Sequence, residues 1–373
     1  MRCSIVGTGS ISAAGPSCTT AEQTYREGIA RATRDEVTGL TVYQVRSLRA
    51  NGEIRRFTEK RPIDRSTLLA LHAATEAVEA AGWRERDFAI LVGCSRGPTA
   101  AWEATYDEFT TTGEPPLRTS PLTTLGSIAF ALADFFGTKA VSSGLSVTCS
   151  SGLHAVYHGM ALLAAGLAER VLVGGTEAPL TPFTLRQMER LRVYAAPGEF
   201  PCRPFADPPT GMVLGEGAGF LALERAADRG NYLIDGIGVA RERHPSPTGI
   251  SAKAKGLQAA MQSALRSGGD SPPDLVIAHA PGTRKGDAAE RAAVREVLGE
   301  APLTSLKWAT GHTFGASGPL AVTAAISALE RGAGFVAPYA NDFLRPQHVR
   351  SVMVNATGFG GNAISLIVRK PEV

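Results

Sequence analysis

The sequence predicts an α/β fold made of two similar halves. Three observations lead to this prediction. Short apolar, strand-like runs alternate with longer helical patterns, single or paired glycines punctuate their ends, and the alternation restarts after residue 229. Such alternation is typical of mixed sheets covered by helices, one sheet in each half. The chain has no literal internal repeat, so the duplication is inferred from element order alone.

In the first half, residues 1–229, each element follows from a local pattern. Residues 66–83 repeat apolar side chains at helical spacing and stop at Gly82, which predicts a helix. Residues 88–95 form a short continuous apolar run, which predicts a buried strand. The other predicted elements are strands at 2–9, 145–148, 170–178 and 211–225 (with a Gly-rich break) and helices at 124–137 and 150–166.

The second half, residues 230–373, repeats the alternation. It closes at 351–370 with two apolar runs around a Gly-rich turn, which predicts a strand pair. The preceding predicted elements are strands at 232–243 and 274–283 and helices at 250–269, 287–299 and 315–332.

Composition narrows the class of protein. The chain has 373 residues, 44% of them hydrophobic, which is enough for a large core, and its net charge of +3 does not suggest nucleic-acid binding. The cysteines are five, widely spaced and without a CxxC pair, which argues against disulfides or a zinc site and favours a reducing compartment. No apolar run approaches the roughly 20 residues that span a bilayer. We therefore expect a cytoplasmic protein that binds neither membrane nor nucleic acid.

Cys149, in "VTCSSGLHAV", follows a strand-like run and opens a helical one. The free N–H groups and the dipole of a helix start favour a thiolate, so we expect a lowered pKa. The small neighbours Ser150, Ser151 and Gly152 are expected to let a substrate approach the backbone. The alternative is a buried, inert cysteine, which is the commoner fate of a lone one. Position alone leaves both open.

Two histidines favour the reactive alternative. His279 ends a buried strand and His312 precedes a helix, and each stands before a Gly-rich turn. With Cys149 they predict a nucleophile and two hydrogen-bond donors. His154 and His158 lie four residues apart on one helix, but no third ligand has suitable spacing, so no metal site is expected.

Seven motifs along nearly the whole chain resemble, in the same order, those of the β-ketoacyl-acyl-carrier-protein synthases, in the elongating branch with a Cys-His-His site. The resemblance implies the thiolase fold, a duplicated five-layered αβαβα arrangement, usually in a homodimer. Residues 181–195 also resemble stand-alone type II synthases of polyene-type polyketide clusters. The motifs are "TCSSG" (148–152), "LVGGTEA" (172–178), "CRPF" (202–205), "VLGEGAGFLALE" (213–224), "AHAPGTRKGDAAE" (278–290), "KWATGHTFGASG" (307–318) and "NATGFGGNAISL" (355–366).

The resemblance assigns roles residue by residue. Cys149 matches the acyl-accepting nucleophile, and His279 and His312 match the two family histidines. Lys307 matches the site lysine, which would tune the histidines electrostatically unless it points outward as a surface lysine. Glu290 matches the acidic residue that follows the first histidine turn.

Further matches concern substrate binding. Phe359 matches the gate residue, and its backbone N–H, with that of Cys149, would form the oxyanion hole. Gly358 and Gly360 flank it in the same substrate-binding turn, and Thr283 matches a threonine that contacts the phosphopantetheine arm.

The implied reaction is a decarboxylative Claisen condensation. An acyl group on Cys149 would condense with malonyl-acyl carrier protein to give a 3-ketoacyl carrier, in fatty acid or type II polyketide or polyene biosynthesis. No tightly bound cofactor is expected, because the substrates are carried on the phosphopantetheine of the carrier. The expected partners are that carrier and a second subunit, identical or resembling a chain-length factor. Lys60, Arg61 and Arg65 match the family region that docks the carrier, although a solvated basic face is the simpler alternative.

Two residues depart from the family pattern, and three other protein classes are weighed against the resemblance. Thr148 replaces a family Ala, and Pro281 replaces a threonine that contacts the arm, removing a hydroxyl and an N–H. The presence of Cys149 argues against a non-catalytic chain-length-factor-like subunit, which lacks the active cysteine. A degradative thiolase needs a late cysteine and none follows Cys202, and the initiating branch has Asn where this sequence has His312. Chain length, starter unit, pathway, cognate carrier and homo- or heterodimerisation stay open.

Overall fold

The computed structural model of the chain describes residues 2–85, 87–117, 119–225, 232–246, 249–335, 337–340 and 346–371. The predicted boundary near residue 229 lies outside them. The described helices are α1 (Cys18–Glu27), α2 (Gly52–Glu59), α3 (Arg65–Ala80), α4 (Thr99–Thr112), α5 (Thr119–Leu122), α6 (Ser127–Phe136), α7 (Ser151–Ala164), α8 (Pro182–Arg190), α9 (Lys255–Ser267), α10 (Arg284–Leu298), α11 (Lys307–Thr310) and α12 (Ser317–Arg331). The strands are β1 (Cys3–Ser12), β2 (Thr33–Arg34), β3 (Thr41–Tyr43), β4 (Ala89–Gly93), β5 (Ser142–Leu145), β6 (Arg170–Glu177), β7 (Leu214–Gly215), β8 (Gly217–Arg225), β9 (Tyr232–Arg241), β10 (Leu275–Ile277), β11 (Leu303–Thr304), β12 (Ser351–Gly358) and β13 (Asn362–Arg369).

The strand order makes the duplication visible. Within the described residues the main sheet runs β11-β10-β12-β13-β9-β1-β8-β6-β4-β5. The first half contributes β1-β8-β6-β4-β5, with two antiparallel and then two parallel pairings, and the second repeats that order and sense in β9-β13-β12-β10-β11. The halves are not wholly separate, because Cys3–Ile5 of β1 pairs with Tyr232–Ile234 of β9.

The helices build the remaining layers. α3 packs on β1 and β8, α9 packs on β9 and β13, and α7 and α12 lie between the two half-sheets and against each other. α12 contacts β8 of one half and β12 of the other, and the twelve residues after Ser317 are all buried. A helix apolar around most of its circumference is typical of such an inner layer. The five-layered thiolase fold is thereby confirmed.

Some predicted elements differ from the structure. The strand predicted at 145–148 is found at Ser142–Leu145 (β5) and ends where it was expected to begin. The chain has already turned at Val147, whose backbone N–H donates to the Ser151 hydroxyl at 2.8 Å instead of to a neighbouring strand. α4 escaped prediction because only Thr99 of its residues is buried, so it shows no apolar stripe. Among the described residues, no helix combines the length and apolarity needed to cross a membrane.

Candidate active site

The turn that carries Cys149, here called the cysteine turn (residues 147–151), links β5 to α7. Thr148 has φ 52°, a left-handed conformation that is unfavourable for a β-branched residue. Side-chain bonds stabilise it: the Ser150 hydroxyl donates to the Val147 carbonyl at 2.8 Å and the Ser151 hydroxyl donates to the Thr148 carbonyl at 2.5 Å. Both serines are fully buried and do not line the cavity that contains Cys149. They hold the turn in shape.

Small residues bring the cysteine turn close to the second half of the chain. A Cβ on Gly152 would lie 2.4 Å from the Gly315 carbonyl oxygen and 2.4 Å from Cγ of Pro319. Only glycine permits this approach. It places the Cys149 sulfur 3.3 Å from Nε2 of His312, within hydrogen-bond reach.

His312 is fixed on both sides. Its backbone N–H donates to the Val213 carbonyl at 2.7 Å, and its own carbonyl accepts from the Gly215 N–H at 3.1 Å. Its ring Nδ1 lies 3.3 Å from the Ser317 hydroxyl. The ring centroid is 5.1 Å from that of His279, with the two rings nearly perpendicular. The structure thus brings Cys149 and both predicted histidines together.

The main chain at His279 is held by a buried acid and a buried base. Glu290 accepts the N–H groups of His279 and Ala280 at 2.9 and 2.7 Å, and Asn355 donates to it at 3.2 Å. The Lys307 ammonium donates to the His279 carbonyl. Lys307 is buried, so the alternative of a surface lysine is wrong. Nδ1 of His279 is buried and, within the described part of the chain, lacks a hydrogen-bond partner.

Glu177 ends β6 and lies in the motif at 172–178, but it is not predicted from the sequence to have a role in the site. Its carboxylate accepts backbone N–H groups from Ser95 (2.8 Å), Arg96 (2.9 Å) and Gly315 (3.0 Å), and the Cys94 thiol donates to it at 3.3 Å. It therefore ties the loop after β4 to the turn after His312. A glutamate at the end of an apolar strand is the signal that could have found it, because buried charges need partners.

The thiol of Cys149 is hard to ionise. Burial raises its pKa to about 12, the charge of Glu177 adds to the rise, and Lys307 and the cysteine's own N–H oppose it. The expectation of a lowered pKa is therefore wrong, because desolvation outweighs the helix start. At neutral pH the group is a thiol.

The two histidines are neutral. Burial, followed by the charge of Lys307, drives the pKa of both His279 and His312 well below their ordinary value of 6.5. Burial also lowers the pKa of Lys307, while the charge of Glu290 opposes that change. The site therefore pairs a neutral thiol with two neutral imidazoles.

Cys149 and both histidines line one cavity of about 460 Å³. Thr283 and Pro281 also line it, as does the turn of residues 358–361, here called the gate turn, through Gly358 and Phe359. A Cβ on Gly358 would lie 2.1 Å from the Thr148 hydroxyl oxygen, so glycine allows the gate turn to rest on the cysteine turn.

Within the gate turn, the Phe359 carbonyl accepts from Nδ2 of Asn362 at 3.0 Å and from the Thr148 hydroxyl at 3.5 Å. Gly360 does not border the cavity, contrary to prediction. With φ 79°, it provides the bend, and its carbonyl accepts from Nε of Arg241 at 3.0 Å.

The three residues predicted to dock the carrier, Lys60, Arg61 and Arg65, do not form one exposed basic group. The Arg65 guanidinium faces inward and binds both carboxylate oxygens of buried Glu216 at 2.6 and 2.5 Å, so its prediction as a docking residue is wrong. Arg61 pairs with Asp134 at 2.5 Å, and Lys60 is exposed. None of the three lines the cavity. His154 and His158 point Nδ1 at the carbonyls four residues earlier, a local structural role.

Comparisons with known proteins agree with this geometry. The family model "Beta-ketoacyl synthase, N-terminal domain" matches residues 14–229, and "Beta-ketoacyl synthase, C-terminal domain" matches residues 232–341. Nodulation protein E of Rhizobium leguminosarum bv. trifolii is 32% identical over 298 residues, covering 75% of this chain and 72% of that protein. The 3-oxoacyl-(acyl-carrier-protein) synthase 2 of Staphylococcus aureus strain N315 is 28% identical and covered to 99%, with 100% of this chain aligned.

Among solved structures, the ishigamide ketosynthase/chain length factor superposes with a TM-score of 0.89 at 23% identity, covering 100% of this chain and 99% of that one. At that identity the likeness concerns the fold. The two family models together span most of the sequence, and the chain therefore belongs to the beta-ketoacyl synthase family.

Proposed function

We propose that this protein is an elongating ketosynthase, an acyltransferase that takes an acyl group onto Cys149 and extends it with malonyl carrier. The observation that carries the proposal is the 3.3 Å contact between the Cys149 sulfur and Nε2 of His312, in a cavity that His279 shares. A nucleophile within reach of a base, with a second donor beside it, fits acyl transfer.

The first step is transfer of the acyl group. As the Cys149 sulfur attacks the carrier thioester, the S–H bond breaks and its proton passes to Nε2 of neutral His312. The Ser317 hydroxyl lies 3.3 Å from Nδ1 of His312 and can accept its hydrogen, which leaves Nε2 open to the thiol proton. The C–S bond to the carrier then breaks, and the carrier thiolate leaves with the proton. Backbone N–H groups of Cys149 and Phe359 are the proposed oxyanion donors, each worth about 2.7–4 kcal/mol in comparable sites.

The second step is condensation. Malonyl carrier loses CO2, and the electrons of the broken C–C bond form an enolate. The enolate oxygen accepts a hydrogen bond from His279 and a second one from Nε2 of His312, after exchange with solvent has moved the hydrogen of His312 from Nδ1 to Nε2. Since Nδ1 of His279 has no partner among the described residues, its proton is better placed on Nε2. The enolate carbon attacks the acyl carbonyl, the bond to the Cys149 sulfur breaks, and a proton from solvent restores the thiol. The product is a 3-ketoacyl carrier.

The proposed positioning roles follow from the contacts. Glu290 and Lys307 hold the backbone at His279, and Glu177 holds the turn after His312. No tightly bound cofactor takes part, since the acyl and malonyl groups arrive on the phosphopantetheine of an acyl carrier protein. The five described cysteines are all free, which fits the cytoplasm, and fatty acid or polyketide biosynthesis is the setting.

A second subunit of the same fold is the proposed partner at the β5 edge. β5 is the terminal strand of the sheet, and an uncovered edge with apolar neighbours is a site for pairing. Light scattering should give the mass of a dimer, and Phe130→Asp should reduce it. A monomeric wild type that dimerises only with a chain-length-factor-like chain would identify a heterodimer. Two exposed apolar side chains lie near this edge: Val141, which directly precedes β5, and Phe130 on α6, which packs against β5.

Intact-protein mass after incubation with charged acyl carrier proteins tests the proposal. We expect an acyl adduct on the wild type, its loss in Cys149→Ala, and its retention in the matched control Cys18→Ala. His279→Ala should slow malonyl decarboxylation at least a hundredfold, within the range of a lost acid–base group. A wild type that takes no acyl group from any carrier would instead support the alternative, a partner subunit of a ketosynthase/chain-length-factor pair.

A further inference from the structure

Two adjacent cations, Arg284 and Lys285, lie where the active-site cavity meets the surface. They are the first residues of α10 and are both exposed. Lys285 lines the cavity that contains Cys149, while Arg284 lines the neighbouring groove of about 680 Å³. Within the described residues neither cation forms an ion pair, so their charge is available to a ligand.

Three of the acids around the two cations are engaged by backbone donors, and two more, Asp207 and Glu296, line the groove with Arg284 but form no ion pair with either cation within the described residues. Asp287 is buried and accepts the N–H groups of Phe205 and Gly282 at 2.7 and 3.0 Å. Glu242, on the cavity wall, accepts the Gly256 N–H at 3.2 Å, and Glu290 accepts the backbone at His279. Because these three carboxylates point to backbone donors, they do not neutralise Arg284 and Lys285 by direct contact.

The cavity wall next to α10 includes one residue that cannot donate a hydrogen bond. Pro281, on its wall, has neither a hydroxyl nor an N–H. The Thr283 side chain does not cap α10, so the first N–H groups of that helix have no side-chain partner at the N-cap, and they add positive potential beside the cations. The two cations and these N–H groups therefore lie together at the start of α10.

We propose that Arg284 and Lys285 form a subsite for the phosphodiester that joins the phosphopantetheine arm to its carrier protein. The inference rests on the proposed function. Lysine and arginine next to free helix N–H groups are the donors that a phosphate prefers. In this chain the arm is thus held by charge at its phosphate end, and the predicted docking residues Lys60, Arg61 and Arg65 do not make this contact.

The test compares three acyl donors with the charge-reversed variant Arg284→Glu/Lys285→Glu. Acyl-pantetheine has no phosphate, acyl-4′-phosphopantetheine adds it, and the acyl carrier protein adds the protein surface. The rate of acyl adduct formation gives kcat/KM for each donor. We expect a loss of about tenfold, equivalent to about 1.4 kcal/mol, with both phosphate-bearing donors and less than twofold with acyl-pantetheine. Arg84→Glu/Arg266→Glu, with the same change of charge at exposed sites away from the cavity, is the control.

Three results would overturn the subsite. In the first, the charge-reversed variant loses kcat/KM equally with all three donors. In the second, it loses kcat/KM only with the acyl carrier protein. In the third, Lys60→Glu/Arg61→Glu loses kcat/KM with the phosphate-bearing donors and Arg284→Glu/Lys285→Glu does not. Binding of unacylated 4′-phosphopantetheine, measured by calorimetry, separates this inference from the proposed function. If the wild type binds it about tenfold more tightly than the variant, the subsite stands even where no acyl group is transferred. Equal binding would reject it.

Discussion

Replacing Glu177 by glutamine tests whether one buried carboxylate supports the site. Each of its oxygens accepts two donors: Oε1 takes the Arg96 N–H and the Cys94 thiol, and Oε2 takes the N–H groups of Ser95 and Gly315. A glutamine keeps one oxygen and turns the other into an amino group, which donates. Whichever way the amide sits, two donors lose their acceptor.

The magnitude follows from that count. A buried donor left unsatisfied costs about 1–3 kcal/mol, so Glu177→Gln should lower the free energy of unfolding by about 2–6 kcal/mol. That is a large share of the about 5–15 kcal/mol that stabilises a typical domain. Since Gly315 lies three residues after His312, the loss should also loosen the contact between His312 and Cys149.

The substitution has a second, electrostatic effect. The charge of Glu177 adds to the rise in the pKa of Cys149, so removing it should lower that pKa from about 12. More thiolate would then be present at any given pH. The pH profile of iodoacetamide alkylation, read as mass added at Cys149, should therefore move to lower pH in Glu177→Gln.

Urea unfolding and the alkylation profile are the two measurements. Glu108→Gln, at an exposed position of α4, is the control and should change the free energy of unfolding by less than about 0.5 kcal/mol. A loss below about 1 kcal/mol in Glu177→Gln, together with an unmoved profile, would refute the reasoning.

Three further outcomes are expected. In Gly152→Ala the new methyl group would lie 2.4 Å from the Gly315 carbonyl oxygen, so we expect about 1–3 kcal/mol of lost stability and slower acylation, and unchanged adduct rates would contradict this. Thr148→Ala should change the acylation rate less than about threefold, because its hydroxyl bond of 3.5 Å lies at the limit for a hydrogen bond; a tenfold change in the mass assay would give that hydroxyl a larger role. Because the pKa values of His279 and His312 are lowered in the folded protein, the unfolded chain binds more protons below pH 6.5, and stability should fall with acid by up to about 2.7 kcal/mol per pH unit. Urea unfolding between pH 7 and 5 should show that the free energy of unfolding depends less on pH in His279→Asn/His312→Asn than in the wild type. An equal slope in both proteins would contradict the lowered histidine pKa values.

Local signals were sufficient for several features. The alternation of apolar runs predicted the element order, because burial selects apolar residues at the period of each element. Cys149 was found as a cysteine at a strand-to-helix junction, and His279 and His312 as histidines before Gly-rich turns. α4 was missed because its side chains are mostly exposed and no periodic stripe marks it.

Other features depend on contacts between residues far apart in the chain. Arg65 belongs, by its position, to a basic run, yet it binds Glu216, which only the folding of β7 and β8 brings near it. The order in which the strands pair within each half-sheet is also not readable from the sequence, because many different residues satisfy the same pairing.

The sequence by itself determined the α/β fold, its two halves, the family resemblance and the cysteine–histidine–histidine set, since these rest on residue type and local period. Only the tertiary structure decided the 3.3 Å contact of Cys149 with His312, the support from Glu177 and the raised pKa of the thiol. The physical reason is that distance, burial and desolvation arise from packing between distant segments, and no local pattern encodes them. Desolvation in particular reversed the direction of the Cys149 pKa shift, which the helix start alone would make downward.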